Sequence, residues 1–313
     1  MTRRGFLGTA AAVSFLGGCV SGQTHTAEAE EAFPPVGDFL TANGVRMHYV
    51  DVGEGPPIVL IHGANGNVRD WTFSMVDRLK ADFRVIAIDR PGHGYSDRAP
   101  QDGANPEVQA ALIAAAADQL GVSKAIIVGH SWGGAVATAW GLARPEQVAG
   151  MAVLAGATYP WNGDGGTLYS LGAGPLGGAV SALARSYVRG DRAKNLVADV
   201  FAPNEMTPGY AEHIGVPLAL RPRTFRYNAD DIDQLNGNLA RMAPRYGALA
   251  MPMEVIHGDA DETVFDDVHS IPLWRTAQNA NLTILPGVGH MPHHSREDEV
   301  VEAIYRLRAA AFG

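Results

Sequence analysis

The stretch KAIIVGHSWGGAVA, residues 124–137, carries a serine between a short apolar run and a series of small residues. The run at 125–128 is typical of a buried strand, and the glycines and alanines at 133–137 indicate a closely packed helix. Residues 129–133 fit G-x-S-x-G in the strand-to-helix context that this motif requires. Ser131 is therefore a candidate nucleophile if other segments supply a base, an acid and an oxyanion site. Otherwise it is a small polar residue in a glycine-rich turn.

Length and composition indicate one large globular domain with an insertion. The chain has 313 residues, of which 46% are hydrophobic and 18% are charged. A net charge of -9 argues against a nucleic-acid partner, because like charges repel. The single cysteine, Cys19, excludes an intramolecular disulfide, a cysteine-based zinc site and a Cys/His nucleophile pair in the folded body.

The first 36 residues are predicted to direct and tether the chain. Residues 1–18 combine Arg3 and Arg4 with an apolar run at 6–16 that is too short to span a bilayer, which predicts a signal peptide resembling the twin-arginine type. Residues 16–19 resemble a bacterial lipobox, in which Cys19 becomes acylated. Residues 19–36 are then an acidic linker, and the protein is a membrane-anchored lipoprotein facing the periplasm or the cell exterior. The alternative is an uncleaved helix with a chance cysteine.

The rest of the chain alternates strands with helices. Asn43-Gly44 predicts a hairpin turn, and four apolar runs separated by helical patterns follow, at 56–63, 83–92, 124–131 and 149–157. Such runs indicate a parallel sheet buried on both faces. The alternation of strand and helix patterns stops at 160–248, where helical patches predict an inserted cap, and it starts again after residue 248. The predicted core is therefore 37–159 and 249–313.

With the serine motif placed in this alternation, the chain resembles the α/β-hydrolase family over residues 37–313. The resemblance implies an α/β fold, a doubly wound and mostly parallel sheet with a helical cap inserted after the sixth strand. It also implies catalytic groups in the chain order serine, acid, histidine, with Ser131 as the nucleophile.

The resemblance assigns the base and the acid. His290 closes the loop after the last strand, as the family's base does, and Asp261 lies three residues after a glycine, as the family's acid usually does. Asp259 remains an alternative acid. His293 and His294 are expected to face solvent or the cap. A metal site built from these three histidines is not expected, because no carboxylate joins them at ligand spacing.

The loop after the strand at 56–61 resembles the family's oxyanion loop. The resemblance implies that the backbone N–H groups of Ala64 and Trp132 stabilise an oxyanion, while His62 is a structural hydrogen bonder. Residues of the IDRPGHGYSD stretch, namely Asp89, Arg90 and His93, are interpreted as loop architecture.

These residues and the resemblance predict a serine hydrolase that cleaves a carboxylic ester of a small or medium apolar substrate by an acyl-enzyme route, with no cofactor and no metal. Aromatic residues of the insertion and its border either line an acyl pocket or pack the cap: Tyr159, Trp161, Tyr169, Tyr210, Phe225 and Tyr227.

Other activities use the same three groups. They are hydrolysis of a carbon–carbon bond, a lactone or an amide, and cofactor-free perhydrolysis. A serine rather than an aspartate at position 131 argues against the related haloalkane dehalogenases and epoxide hydrolases. A tethered ligand-binding protein without turnover is a third alternative. The natural substrate and the oligomeric state stay open.

Overall fold

An eight-stranded sheet forms the centre of the molecule. The computed structural model describes residues 22–163, 167–175, 177–188 and 190–313. The strands in chain order are β1 Asp38–Ala42, β2 Val45–Val52, β3 Pro57–Ile61, β4 Arg84–Ile88, β5 Ala125–His130, β6 Val148–Leu154, β7 Met253–Gly258 and β8 Ala280–Leu285. Across the sheet they lie in the order β1-β2-β4-β3-β5-β6-β7-β8. At one edge, β1 pairs with β2 and β2 pairs with β4, both antiparallel. All the other neighbouring strands, from β4 and β3 across to β8, pair parallel. This is the predicted fold class.

Helices cover both faces of the sheet and form the cap. They are α1 (residues 22–32), α2 Arg69–Thr72, α3 Met75–Leu79, α4 Pro106–Gln119, α5 Trp132–Ala143, α6 Thr167–Ala173, α7 Gly177–Tyr187, α8 Asp191–Phe201, α9 Tyr210–His213, α10 Val216–Ala219, α11 Pro222–Met242, α12 Ser270–Thr276, α13 Pro292–Ser295 and α14 Glu297–Phe312, with 3₁₀ turns at Pro145–Gln147 and Ala243–Ala248.

The central strands are buried on both sides because helices cover both faces of the sheet. Successive side chains of a strand point to opposite faces and so belong to different apolar clusters. In β5, Ile127 belongs to one apolar cluster, together with Ile113 of α4 and Val136 of α5. Ile126 belongs to the other cluster, together with Ile304 of α14. The near-continuous apolar strands of the sequence are thus explained by two covered faces.

The predicted hairpin is present at one edge of the sheet. Strands β1 and β2 pair antiparallel from Asp38 opposite Tyr49 to Ala42 opposite Val45. The two turn residues have positive φ, 48° at Asn43 and 81° at Gly44, which asparagine and glycine adopt at lower cost than other residues.

The helical cap is inserted after the sixth strand, as predicted, and comprises α6 to α11. Its longest helix, α11, has 21 residues, and Pro222 occupies its first turn. Buried positions recur at three- and four-residue spacing from Phe225 to Met242, which defines one face against the core. That face carries two polar residues, Asn228 and Asp231, to the site described below.

The N-terminal segment differs from the predicted linker. Over the described residues, 22–32 are helical instead of forming an extended tether. This helix is fixed to the body, because Glu30 pairs with Arg221 at 2.8 Å and Ala29 is buried. The predicted signal peptide and Cys19 lie outside the described residues. Within the described part of the chain, no helix has the length and apolar character needed to cross a membrane.

Candidate active site

Ser131 occupies the sharp turn between β5 and α5. Its φ of 54° and ψ of -120° are unusual for a residue with a side chain, and such a backbone costs about 1–3 kcal/mol. Hydrogen bonds hold the turn: Ser131 N–H donates to Leu154 O at 3.0 Å, and Ser131 O accepts from Gly134 N–H at 2.9 Å. The turn raises the Ser131 side chain at the carboxyl edge of the parallel strands.

The two outer glycines of the motif allow chain segments to approach closely. A Cβ on Gly129 would lie 2.3 Å from Gly133 O, and a Cβ on Gly133 would lie 2.3 Å from Ile61 O. Both distances are far below a van der Waals contact. The glycines therefore let α5 begin directly against β5 and β3.

The structure brings Ser131, His290 and Asp261 together. His290 Nε2 lies 2.9 Å from Ser131 Oγ, and His290 Nδ1 lies 2.7 Å from Asp261 Oδ2. Because a carboxylate only accepts, His290 Nδ1–H donates to Asp261, and Nε2 is then able to accept from the Ser131 hydroxyl. All three side chains are buried. This arrangement can remove a proton from Ser131.

Four N–H groups surround the Asp261 carboxylate. Oδ1 accepts from the backbone N–H groups of Thr263 and Val264 at 2.8 and 3.0 Å. Oδ2 accepts from His290 and also from His257 Nε2–H at 3.0 Å. Burial raises the pKa of Asp261, but the hydrogen bonds from His257 and His290 outweigh it and hold the pKa well below its ordinary value. Asp261 is therefore ionised.

His257 was missed at the sequence level. Its Nδ1 accepts from the Ser270 hydroxyl at 2.5 Å, so Nε2 carries the proton, which it shares between Val264 O at 2.6 Å and Asp261 Oδ2 at 3.0 Å. The four-residue spacing between His257 and Asp261 in VIHGDAD was the available signal.

Asp259, the alternative acid, does not contact His290. It is exposed on the same turn and accepts from Gly287 N–H at 2.6 Å. Asp259 therefore fixes the loop that leads to His290 and leaves the pairing with the imidazole to Asp261.

The structure brings the loop that carries Ala64 and the start of α5 next to Ser131. A Cβ on Gly63 would lie 3.0 Å from Ser131 Cβ, so the loop that carries Ala64 passes directly over the turn. Trp132 is the first residue of α5, where backbone N–H groups have no partner within the helix. The N–H groups of Ala64 and Trp132 stay the predicted donors to an oxyanion at Ser131.

His62 and Arg90 fix the backbone of this loop. Arg90 Nε–H donates to His62 O at 3.1 Å, and its Nη2–H donates to Gly63 O at 3.3 Å. His62 Nδ1 donates to Gly63 O, and Nε2 accepts from Arg90 N–H at 3.0 Å. Burial lowers the pKa of His62 to about 3, with a contribution from the Arg90 charge, so the ring is neutral. His62 has the predicted structural role.

The cap reaches the same loop through α11. Asn228 Oδ1 accepts from Asn65 N–H, and Asn228 Nδ2 donates to Asn65 Oδ1, both at 2.8 Å. Asn65 directly follows Ala64 in the chain. This reciprocal amide pair therefore ties the position of Ala64 to the cap.

Asp231, also from α11, is the buried counter-ion of the site. It lies 3.0 Å from Arg90 Nη1, 2.9 Å from His93 Nε2 and 2.5 Å from Arg98 Nη1. Burial raises its pKa, but the contacts with His93, Arg90 and Arg98 outweigh this effect and lower the pKa well below the ordinary value. Sequence reasoning missed Asp231, and nothing in the local pattern of α11 distinguishes it from its exposed acidic neighbours.

We expect Asp231→Ala to destabilise the fold by about 3–5 kcal/mol, because it leaves the buried Arg90 charge without its counter-ion. Because the folded-state pKa of Asp231 is lowered, this contribution is present above about pH 4 and is lost as the pH falls. Urea unfolding at neutral pH measures the difference. Asp233→Ala is the matched control, since Asp233 is exposed on the same helix. Equal losses from the two variants would contradict the assignment.

His293 corrects two expectations. It faces neither solvent nor the cap: it is fully buried, with its ring 4.3 Å from that of His130 and 4.9 Å from that of Trp71. A carboxylate does lie nearby, because Asp70 of α2 is 3.2 Å from His293 Nε2. No local pattern indicates this pair, since its members are more than 200 residues apart. His294 does contact the cap, with its ring 4.6 Å from that of Tyr210.

Asp70 links α13 to the cap. Among the described residues, Asp70, His130 and His293 have possible metal-ligand atoms within 4.8 Å of one another. However, Asp70 already accepts hydrogen bonds from Tyr210 at 2.8 Å and from His294 at 2.8 Å. Burial raises the pKa of Asp70, but the contacts with His293 and His294 lower it well below the ordinary value. The cluster is thus a carboxylate satisfied by hydrogen bonds, next to the His290 loop.

Comparison with known proteins agrees with this geometry. The sequence model of the Alpha/beta hydrolase family matches residues 58–303. The chain belongs to the alpha/beta hydrolase family. In this alpha/beta hydrolase, every site residue named above, from His62 to His294, falls within the matched range.

Individual relatives of this alpha/beta hydrolase differ in activity. It is 34% identical over 119 residues to bifunctional epoxide hydrolase 2 of Sus scrofa. The matched segment covers 38% of this chain and 21% of the relative. It is also 34% identical over 139 residues to the 2-hydroxy-6-oxononadienedioate/2-hydroxy-6-oxononatrienedioate hydrolase of Paraburkholderia phymatum. That matched segment covers 43% of this chain and 48% of the relative. The chain therefore matches less than half the length of these relatives.

A solved structure matches over more of the chain. The structure of an N-acyl homoserine lactone degrading enzyme superposes with a TM-score of 0.65 and 26% identity, covering 86% of this chain and 99% of that enzyme. Together the comparisons establish a hydrolase family and leave the substrate of this alpha/beta hydrolase open.

Proposed function

We propose that the protein is a serine hydrolase that cleaves a carboxylic ester of a small or medium apolar compound through an acyl-enzyme intermediate. The hydrogen-bonded chain from Ser131 through His290 to Asp261, with distances of 2.9 and 2.7 Å, carries this proposal. It aligns a hydroxyl, an imidazole nitrogen and an ionised carboxylate, as nucleophilic catalysis requires.

The first half of the reaction forms the acyl-enzyme. Ser131 Oγ attacks the ester carbonyl carbon while His290 Nε2 takes its proton, and the carbonyl oxygen becomes an oxyanion. The N–H groups of Ala64 and Trp132 stabilise that charge. His290 then gives the proton to the leaving alkoxide, the ester C–O bond breaks, and an alcohol departs.

The second half releases the acid. His290 Nε2 removes a proton from a water molecule, the hydroxide attacks the acyl carbon, and the proton returns to Ser131 Oγ as the acyl bond breaks. In both halves His290 is transiently an imidazolium, which the ionised Asp261 stabilises without taking a proton.

A fluorophosphonate probe tests the proposal, because it forms a stable adduct only with an activated serine. We expect one adduct, on the peptide that contains Ser131, in the folded protein and none after unfolding in urea. Peptide mass spectrometry locates the adduct. Labelling that avoids Ser131, or that is equal in the folded and unfolded chain, would contradict the proposal.

Carbon–carbon hydrolysis is the second candidate. It is favoured by the 34% identity to a 2-hydroxy-6-oxononadienedioate hydrolase, and the same three groups serve either bond. Lactone opening, a cyclic form of ester cleavage, is favoured by the likeness to the lactone-degrading enzyme. A panel of acyl esters of increasing length, lactones and vinylogous diones separates these activities. Amide hydrolysis, perhydrolysis and non-catalytic ligand binding remain less favoured.

We also propose that Cys19 is acylated after removal of an exported signal peptide at residues 1–18, and that the protein is held at a membrane outside the cytoplasm. The basic head, the short apolar run and the lipobox-like residues 16–19 support this proposal.

A further inference from the structure

The cap exposes an apolar surface on two neighbouring helices. Leu183 and Tyr187 are one turn apart on α7 and are 70% and 57% exposed, while Leu196 and Val200 are one turn apart on α8 and are 44% and 37% exposed. The Arg192 guanidinium lies 4.8 Å from the Tyr187 ring centroid, which connects the two helices. Single exposed apolar residues are common, but these are two pairs on helices linked by the Arg192–Tyr187 contact, and the four residues are called here the α7–α8 face.

The N-terminal helix begins next to the turn that joins α7 to α8. A Cβ on Gly22 would lie 3.4 Å from the Pro222 side chain. A cavity of about 680 Å³ has Thr24 and His25 of α1 on one side, and Val188 and Ala193, which flank the turn from α7 to α8, on the other. The chain therefore enters the described structure beside the turn that joins the two helices of the α7–α8 face.

The docking of α1 also shortens the tether to the proposed anchor. A free linker over residues 19–36 would let the body take any orientation on a membrane. Since the chain is fixed from residue 22 onward, only residues 20 and 21 lie between Gly22 and Cys19, which are therefore three residue steps apart. Three extended residues span at most about 11 Å. This step rests on the proposed acylation of Cys19, which would hold the start of α1 within that distance of the lipid headgroups.

We infer that the α7–α8 face rests in the headgroup region of a phospholipid bilayer. The side chains suit that position: Leu183, Leu196 and Val200 insert among the upper acyl segments, while Tyr187 and Arg192 keep polar groups at the interface. Asp191 and Asp199 on α8 balance the basic side chains, so a zwitterionic lipid suffices. In this orientation, esters dissolved in the bilayer reach the enzyme directly at its cap.

A fluorescent label on the face tests the inference. The full chain carrying Leu183→Cys is labelled with the environment-sensitive dye NBD and bound to phosphatidylcholine vesicles whose acyl chains carry a spin-label quencher. Phe312→Cys is the matched control, because Phe312 is a 40% exposed apolar residue on α14, which packs on the sheet. Any labelling of Cys19 in the unchanged chain is measured and subtracted.

We expect the emission at position 183 to shift to the blue and to be quenched by the spin-labelled lipid, with neither effect at position 312. Aqueous emission at both positions, or equal shifts at both, overturns the inference. A blue shift at position 183 that follows protein concentration and not lipid also overturns it, because the face then joins two copies of the chain.

Different outcomes of these experiments test the anchor at Cys19, the docking of the α7–α8 face and the hydrolase activity. Retention on vesicles without a shift at position 183 overturns the docking alone. A Cys19→Ala chain that leaves the vesicles supports the anchor, and one that still binds and shifts supports docking that does not need the anchor. Hydrolysis of a water-soluble ester by Leu183→Glu should be unchanged, since this side chain is exposed and remote in sequence from the site. A shift at 183 in a chain without ester hydrolysis supports the docking and contradicts only the proposed function.

Discussion

Ser131→Ala should lower kcat for ester hydrolysis by about 10⁶-fold, the scale measured when the nucleophile of such a triad is removed. The change deletes only Oγ, so the acyl-enzyme can no longer form. The backbone at φ 54° is as strained for alanine as for serine, and the free energy of unfolding should therefore stay the same. Initial rates on a chromogenic ester, with urea unfolding alongside, measure both quantities.

Ser170→Ala is the matched control, because Ser170 lies on the cap and donates only to Asp233 at 2.9 Å. It removes the same hydroxyl oxygen and should leave the rate unchanged. Undiminished hydrolysis by Ser131→Ala would remove the acyl-enzyme route altogether. Tight ligand binding by the unchanged protein without any product would favour the binding-protein alternative.

The sequence predicts the parts of the site that lie at the ends of strands. Ser131, Asp261 and His290 each lie in the loop that follows a strand, and the carboxyl ends of parallel strands meet at one edge of the sheet. The chain order of the three residues then suffices to place them together. The Asn43-Gly44 hairpin was predictable for a similar local reason, because the turn chemistry lies in two adjacent residues.

Contacts between distant segments were not predictable. Asp231 reaches Arg90 across 141 residues, and Asp70 reaches His293 across 223 residues. Both carboxylates sit on helices among other polar residues, and only the docking of the cap or of α13 makes them buried ion partners. A single sequence carries no record of such pairing, since burial and charge compensation arise after the elements pack.

The N-terminal helix illustrates the same limit. The residues THTAEAEEA at 24–32 are mostly good helix formers, but a short isolated helix is marginal in water. Its docking depends on Arg221 and on Pro34 O, which accepts from Arg69. The sequence therefore predicts a linker for this acidic stretch, although tertiary contacts order it.

Asp261→Asn should lower kcat by about 10⁴-fold while leaving KM close to its original value, since the same change in a serine protease has that effect. An asparagine at this position has one oxygen and one NH₂ group. The backbone N–H groups of Thr263 and Val264 both require an acceptor at the Oδ1 position, which directs the NH₂ toward His290 and His257. His290 Nδ1 must then accept, its proton moves to Nε2, and Nε2 can no longer take the proton of Ser131.

Asp259→Asn separates this effect from a general loss of charge in the loop. Asp259 accepts from Gly287 N–H through one oxygen, and the amide oxygen of asparagine can replace it, so the rate should fall little. The pH dependence of kcat for both variants, measured on one chromogenic ester, completes the comparison. A larger loss for Asp259→Asn than for Asp261→Asn would reassign the acid to position 259. Equal, small losses would mean that His290 is oriented by its packing against His130 and not by a carboxylate.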